Sequence, residues 1–365
     1  MSEQPSDARY DFDSGYTSRP EPYDIDKTME VLKNADEHAV LPAGAIYGLS
    51  DLSGEALVTF RAGWQTLATA RRRQLATSLV ESIETNFFLH YEAVAYVLLE
   101  DPDPEVRQKA IEMPWYVISE RLFHTLMTMA QKDSSTPVRA TAMSALGRFI
   151  YEGEMEEFDV ALTARARQLA IAYYEDRSED LDVRRRSLEA VSHSTMDELD
   201  AMILEAYEDD EPMMQASAVF AMGASCKPRW AEQVIRELDN PMPEIRFEAI
   251  RAAGELALAD AVPKLIASAQ EDGDDYELRL TAIWSLGEIG TKEATRGLQA
   301  LLSQAEAAEN DTLMEAIEDA LETAALMSGF MLPMFEFMDD EPELSDDLMD
   351  LDDLDEDDND PSRLN

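Results

Sequence analysis

From Phe88 to Met327 the apolar residues recur at helical spacing in short segments separated by polar turns. The clearest copy is Asp275–Gly287. Leu278, Ala282, Ile283 and Leu286 fall on one helical face, Asp275 is placed to cap, and Gly287 or Gly290 is placed to end the helix. The same order of residue types returns along the chain: an apolar residue, then Arg, a small residue three later and often Gly eight later. It occurs at Val106-Arg107, Val138-Arg139, Val183-Arg184, Met214-Gln215, Ile245-Arg246 and Leu278-Arg279. The second positions of these pairs are separated by 32, 45, 31, 31 and 33 residues. Four intervals that close in length define a repeat.

Upstream of each copy lies a second apolar run with helical spacing, predicting helices over 88–99, 120–130, 162–173, 197–207, 231–238 and 261–269. Pro104, Pro212 and Pro243 stand two residues before the apolar position, in the first turn, where a missing N–H costs nothing. Asp103, Asp180, Glu211 and Asp275 stand three before it, as an N-cap or a first-turn acid. Each unit therefore reads as helix, turn, helix. A pair of this size cannot bury its own apolar face, but stacked neighbours can, so the fold class is all-α, an α-solenoid. The small residue at plus three lets packed helices approach. The 45-residue interval carries an insertion, placed in the inter-helix loop around 151–159. A last unit, 292–327, lacks the Arg and reads as a cap.

The flanks have another character. Residues 1–24 show no period and read as a disordered N-terminus. Residues 25–87 read as a helical cap region, with a helix near 26–37 and the triplet Arg71-Arg72-Arg73 between Leu67 and Leu75. Such a triplet can bind phosphate; in a chain this acidic it reads as ion pairs with neighbouring carboxylates on a solvated helix face. Residues 88–327 hold the repeats, and 328–365 an apolar linker and a disordered acidic tail. Residues 339–360 contain 14 acids and no base, with Leu344, Leu348, Leu351 and Leu354 spaced to share one face of an induced helix.

The pattern Asp-x-x-Val-Arg-x-x-Ala-x-x-x-x-Gly at this period resembles the HEAT repeat family, and most of all the short bacterial HEAT-like repeats that phycobilisome lyases also contain. The resemblance implies that Arg107, Arg139, Arg184, Arg246 and Arg279 form a structural ladder with acidic residues along the stack, and that Gln215 breaks it. It implies that the second helix of each pair lines the concave face. It also implies the leading functional reading, a non-catalytic scaffold or adaptor that binds protein, and its alternative, a lyase-like or chaperone role in bilin attachment.

Charge narrows the partners. The chain of 365 residues has 77 acidic and 30 basic residues, a net charge of −47. Such a chain repels phosphate backbones and anionic lipid, which argues against nucleic acid and membrane and for a protein partner with a basic surface. The N-terminus lacks the basic and apolar regions of a signal peptide, and no run approaches the roughly 20 apolar residues of a membrane span, so a cytoplasmic location is expected. Four histidines, His38, His90, His124 and His193, stand at no metal-ligand spacing, the single Cys226 reads as a buried or half-buried thiol, and no phosphate-binding glycine motif occurs. No cofactor, metal or small-molecule substrate is expected. Along the pattern helix, the position five after the Arg faces outward and carries Glu112, Ser144, Glu189, Phe220, Arg251 and Trp284. Aromatic residues and Arg dominate binding hot spots, which makes Phe220, Arg251 and Trp284 the candidate partner-binding residues; the bland alternative is that Phe220 and Trp284 tuck between helices.

Overall fold

The short turns between apolar runs determine the architecture, because each closes a pair of helices. In the computed structural model, residues 21–34, 39–86, 88–114, 116–270 and 276–336 are described, and among them every regular element is a helix. The N-terminal segment up to residue 20, the acidic tail with its spaced leucines, His38 and Asp275 lie outside the described residues. The chain divides into two compact units, Met1–Leu256 and Ala257–Asn365.

The first unit opens with α1 (Ile25–Asn34), α2 (Ala43–Tyr47), α3 (Gly54–Trp64) and α4 (Thr69–Thr85). Five pairs follow: α5 (Glu92–Leu98) with α6 (Pro104–Glu112), α7 (Glu120–Lys132) with α8 (Thr136–Glu154), α9 (Val160–Glu175) with α10 (Leu181–Val191), α11 (Leu199–Tyr207) with α12 (Pro212–Ala224), and α13 (Ala231–Glu237) with α14 (Pro243–Glu255). The second unit holds α15 (Val262–Gln270) with α16 (Tyr276–Ile289), and α17 (Lys292–Ala307) with α18 (Asp311–Glu336). In the first unit the second helices stack in order, α6 on α8, α8 on α10, α10 on α12 and α12 on α14; in the second unit α16 packs on α18. The small residues at plus three, Ala110, Ala142, Ser187, Ala218, Ala249 and Ala282, are all fully buried.

Several expectations need correction. The extra length of the long interval does not form a loop over 151–159. It lengthens α8 and α9 instead, leaving a turn around Glu156, whose φ is 63°. The apolar stretch after Gly329 continues α18 as helix through Glu336 rather than acting as a linker. Gly287 does not end α16; Gly290 does, with φ 59°. Gly287 is a packing residue: a Cβ there would lie 3.0 Å from the Cα of Ala320. The same arrangement recurs in the first unit, where a Cβ on Gly147 would lie 3.0 Å from the Cα of Ala190 and one on Gly223 2.8 Å from that of Ala252. Arg71 and Arg72 are buried rather than solvated, and α4 packs on α6 as the later second helices pack on theirs. Near the N-terminus, Tyr23 is already docked: its N–H donates to the Gly44 carbonyl at 2.8 Å, and Lys27 Nζ stands 3.4 Å from the centre of its ring.

The turns share a device. Asp103 Oδ1 caps α6 by accepting from the N–H groups of Glu105 and Val106, and Asp180 caps α10 through Asp182 N–H. Glu211 occupies the cap position of α12 without making the bond. The more regular residue stands six before the ladder position. Asp101, Asp133, Asp209 and Asn240 each accept, through the side chain, the N–H two residues on, at 2.9 to 3.0 Å. Their backbone carbonyls accept from Arg107 (2.8 Å), Arg139 (3.3 Å), Gln215 (2.7 Å) and Arg246 (2.9 Å). Two bonds thus close the turn and tie it to the helix that follows. Gln215 keeps the tie to the turn; what it lacks is a charge.

Two of the expected ladder arginines, Arg107 and Arg139, make ion pairs with the turn of the next repeat. Arg107 Nε and Nη2 donate to the two carboxylate oxygens of Asp133 at 2.8 and 2.6 Å, a bidentate pair with both side chains largely buried. Arg139 reaches Glu179 at 3.0 Å. Upstream, Arg73 grips Asp103 with two bonds of 2.9 and 2.6 Å, and Arg72 stands 2.9 Å from Asp101, which also accepts from the indole N–H of Trp64. Arg184 and Arg279 donate to carbonyls ten residues back, those of Tyr174 and Ala269.

Two outcomes follow. Gly223→Ala should lower the urea midpoint of the chain, although in an open helix the same change stabilises by roughly 1 kcal/mol; the added methyl forces α12 from α14 at a cost of about 1–3 kcal/mol. Circular dichroism during urea titration reads the sign. Asp133→Asn should destabilise in a pH-dependent way. Burial raises the Asp133 pKa, but the hydrogen bonds from Arg107, the Ser135 N–H and the charges of Arg107 and Arg139 outweigh it, leaving the group below its ordinary 3.8. A carboxyl depressed on folding stabilises above its unfolded pKa and loses that contribution as pH falls through the folded one. The gap in urea midpoint between wild type and Asp133→Asn should therefore be full near neutrality and close below about pH 3.8; a gap that persists in stronger acid would contradict the assignment.

Candidate functional site

The second helices of the first unit present one continuous face, and the residues five after the ladder position lie along it. They are not uniformly outward. Glu189 is buried, accepting from Ser217 Oγ at 2.6 Å and paired with Arg186 and, at 3.9 Å, with Arg185. Burial follows because α10 and α12 approach closely enough to enclose the +5 side chain. Phe220 and Arg251 are brought together: the guanidinium lies 4.0 Å from the centre of the Phe220 ring, a cation–π stack. Arg251 is held there by Glu248 at 2.9 Å and by Glu255. Burial raises the Glu248 pKa, opposed by the charge of Arg251. Trp284 belongs to the second unit, on α16, and is 42% exposed, so it is not tucked between helices.

Two cavities open side by side on this face. One, of about 470 Å³, is floored by Ile111, Pro114, Leu122 and Leu126 and edged by Thr141 and Glu112. The other, of about 360 Å³, lies among Tyr151, Glu189, His193 and Phe220. Ser144, Arg148 and Arg186 line both, so the two form one groove with arginines at its waist. Arg148 is fixed by its own neighbourhood: Nη2 donates to the carbonyls of Val117 and, at 3.5 Å, of Pro114, and the guanidinium lies 5.5 Å from the Phe149 ring centre. Its Nε is buried with no hydrogen-bond partner. Burial lowers the Arg148 pKa, opposed by the charge of Glu152. His193 packs its ring edge-on against Tyr151 at 5.3 Å. It has open surface yet sits in the concavity of the groove, so burial and then the charge of Arg251 lower its pKa, against a backbone hydrogen bond at Ala224.

A third cavity, of about 710 Å³, lies on the first-helix side among Leu57, Tyr96, Val97, His124 and Met129, with the Arg121 guanidinium 3.6 Å over the Tyr96 ring. Cys226, expected to be buried or half-buried, is exposed in the turn after α12 with φ 50°. Its pKa is raised by burial of its surroundings and by Glu255. Among the described residues no group of three or more His, Cys, Asp and Glu side chains is placed to hold a metal ion. His90 stacks against Tyr116 and His124 against Phe123, each as part of an aromatic contact. No described helix is long and apolar enough to cross a membrane.

Sequence reasoning placed Phe220, Arg251 and Trp284 on this side of the pairs. It missed Arg148, Arg186, Tyr151 and His193. The signal for Arg148 and Arg186 was present as positions nine and two after ladder residues 139 and 184, both on the outward stripe.

Comparison with known proteins agrees with the architecture. The family model for HEAT repeats matches residues 91–192, 199–277 and 231–322. No curated protein sequence matches. Similar solved structures include YibA of E. coli, 16% identical over 78% of this chain and 97% of that one, with a TM-score of 0.40. The CpcE–CpcF complex of phycocyanin lyase from Nostoc sp. PCC7120 is 16% identical over 64% and 94%, TM-score 0.40. Human deoxyhypusine hydroxylase is 18% identical over 82% and 96%, TM-score 0.32. With the repeat model spanning most of the region between residues 91 and 322, this chain is a member of the HEAT-repeat family.

Proposed function

We propose that this chain is a non-catalytic scaffold that binds another protein through the outward face of its second helices, the face that lines the concavity in HEAT arrays. The observation that carries the reading is the groove in the first unit, where Tyr151, His193, Phe220 and the Phe220-stacked Arg251 gather aromatic and guanidinium surface. Such side chains hold large contact area at small entropic cost, and they concentrate binding energy in protein interfaces. In the second unit, the exposed indole of Trp284 is an additional contact residue of the same chemistry. The acidic tail with its spaced leucines supplies a second contact, to a basic surface on the partner.

Phe220→Ala and Trp284→Ala, each verified by unchanged helicity, should reduce the recovery of partner protein from cells of origin, with a loss at each hot spot of about 2 kcal/mol or some thirtyfold in affinity. Affinity capture with quantitative mass spectrometry measures it. Equal recovery from wild type and both variants would remove the proposal. Deletion of 339–365 separates the tail: a contact role predicts weaker capture, whereas a tail that only keeps the chain soluble predicts intact capture and earlier aggregation.

A further inference from the structure

Resting on that reading, we infer that the groove at the waist formed by Arg148 and Arg186 recognises a carboxylate: it takes a peptide segment of the partner in which one Asp or Glu is flanked on both sides by apolar side chains. The charges around the groove are unequal in their compensation. Glu112 is paired with Lys109, and Glu189 is shared by Arg185, Arg186 and Ser217. Arg148, in contrast, makes no ion pair among the described residues and donates only to the Val117 and Pro114 carbonyls. It is half-buried, and Glu152 acts on it only through its charge. A partly desolvated guanidinium without an anion is costly, and a carboxylate delivered by a partner offsets that cost.

Its geometry suits delivery from outside. The carbonyls of Val117 and Pro114 hold one edge of the guanidinium, so its position is fixed before anything binds. The cavities on either side supply the rest of the recognition. The Ile111, Leu122 and Leu126 floor of one takes an aliphatic side chain, and the Tyr151, His193 and Phe220 walls of the other take an aliphatic or aromatic one. The inference departs from the chain's bulk charge. A net charge of −47 favours basic partners at long range, while this groove presents at short range a half-buried cation without an ion pair among the described residues. Direct contact decides specificity here, because screening removes the long-range field at physiological salt within about 8 Å.

The test uses the full chain and fluorescein-labelled octapeptides with a central Glu or Asp and Leu, Ile, Met or Phe on both sides. Each is matched by a counterpart with Gln and another with Lys at the centre, and binding is read by fluorescence anisotropy at 150 mM salt. The expected result is that acid-centred peptides bind about tenfold tighter than their Gln counterparts, as a charge-assisted pair provides. Arg148→Gln should erase that ratio, Arg148→Lys should keep part of it, and Arg61→Gln, whose partner Glu100 lies on the other side of the pairs, should leave it unchanged. Circular dichroism confirms that each variant is folded. Failure of every acid-centred peptide to bind, Gln or Lys counterparts that bind as tightly, or a ratio that survives Arg148→Gln overturns the inference. None of these outcomes touches the scaffold reading, which the capture experiment with Phe220→Ala and Trp284→Ala decides separately.

Discussion

A side chain reaching back six residues to a backbone carbonyl holds this architecture together. A turn between two helices leaves carbonyls of the first helix and N–H groups of the second without partners. At Asp101, Asp133, Asp209 and Asn240 one residue meets both needs, its side chain accepting the N–H two on and its carbonyl receiving the Arg or Gln six on. Those two bonds fix the four turns that carry them. Where the carboxylate also takes an Arg from the preceding pair, as Asp133 takes Arg107, the same atoms that shape one pair attach it to the next. Intra-repeat geometry and inter-repeat coupling are then one interaction, which suits an array that is stable only through its neighbours.

How much of this was legible depends on contrast. The ladder arginines stood out because each followed an apolar residue and returned at a near-constant interval. Their partners at minus six did not, because an Asp is unremarkable in a sequence with 77 acids. The more visible acid four before the ladder position was read as the cap instead, which holds for Asp103 and Asp180 but not for Glu211. The glycine of the motif was legible as a position, with the helix end left open between Gly287 and Gly290, since a sequence shows that a side chain is missing but not what occupies its place. At Gly147, Gly223 and Gly287 the occupant is the backbone of a neighbouring Ala. Arg71 and Arg72 were read as surface because no repeat signal reaches α3 and α4, yet both are buried, and α4 packs on α6 as the later second helices pack on theirs.

The site was less legible than the fold for a physical reason. An outward stripe is defined by angle on one helix, whereas exposure depends on how far the neighbouring helix stands. Glu189 shares its angular position with Phe220 and is buried because α10 and α12 come close, with Ser217 filling the gap. Arg148 lines the groove because α8 is long enough to carry it past the α6–α7 turn, whose carbonyls then fix it. Length, spacing and turn geometry together set which charges face solvent and which face a cavity, and none of the three is a property of a single repeat.

The neutral Gln215 leaves one repeat position without a charge. The joints at Arg72–Asp101, Arg107–Asp133 and Arg139–Glu179 each carry a charge pair, and at the turn tied by Gln215 the charge pair comes from Arg177, which reaches Asp209 at 3.3 Å. Loss of the repeat Arg therefore does not uncouple neighbouring turns here, because a residue outside the repeat position supplies the charge that joins them.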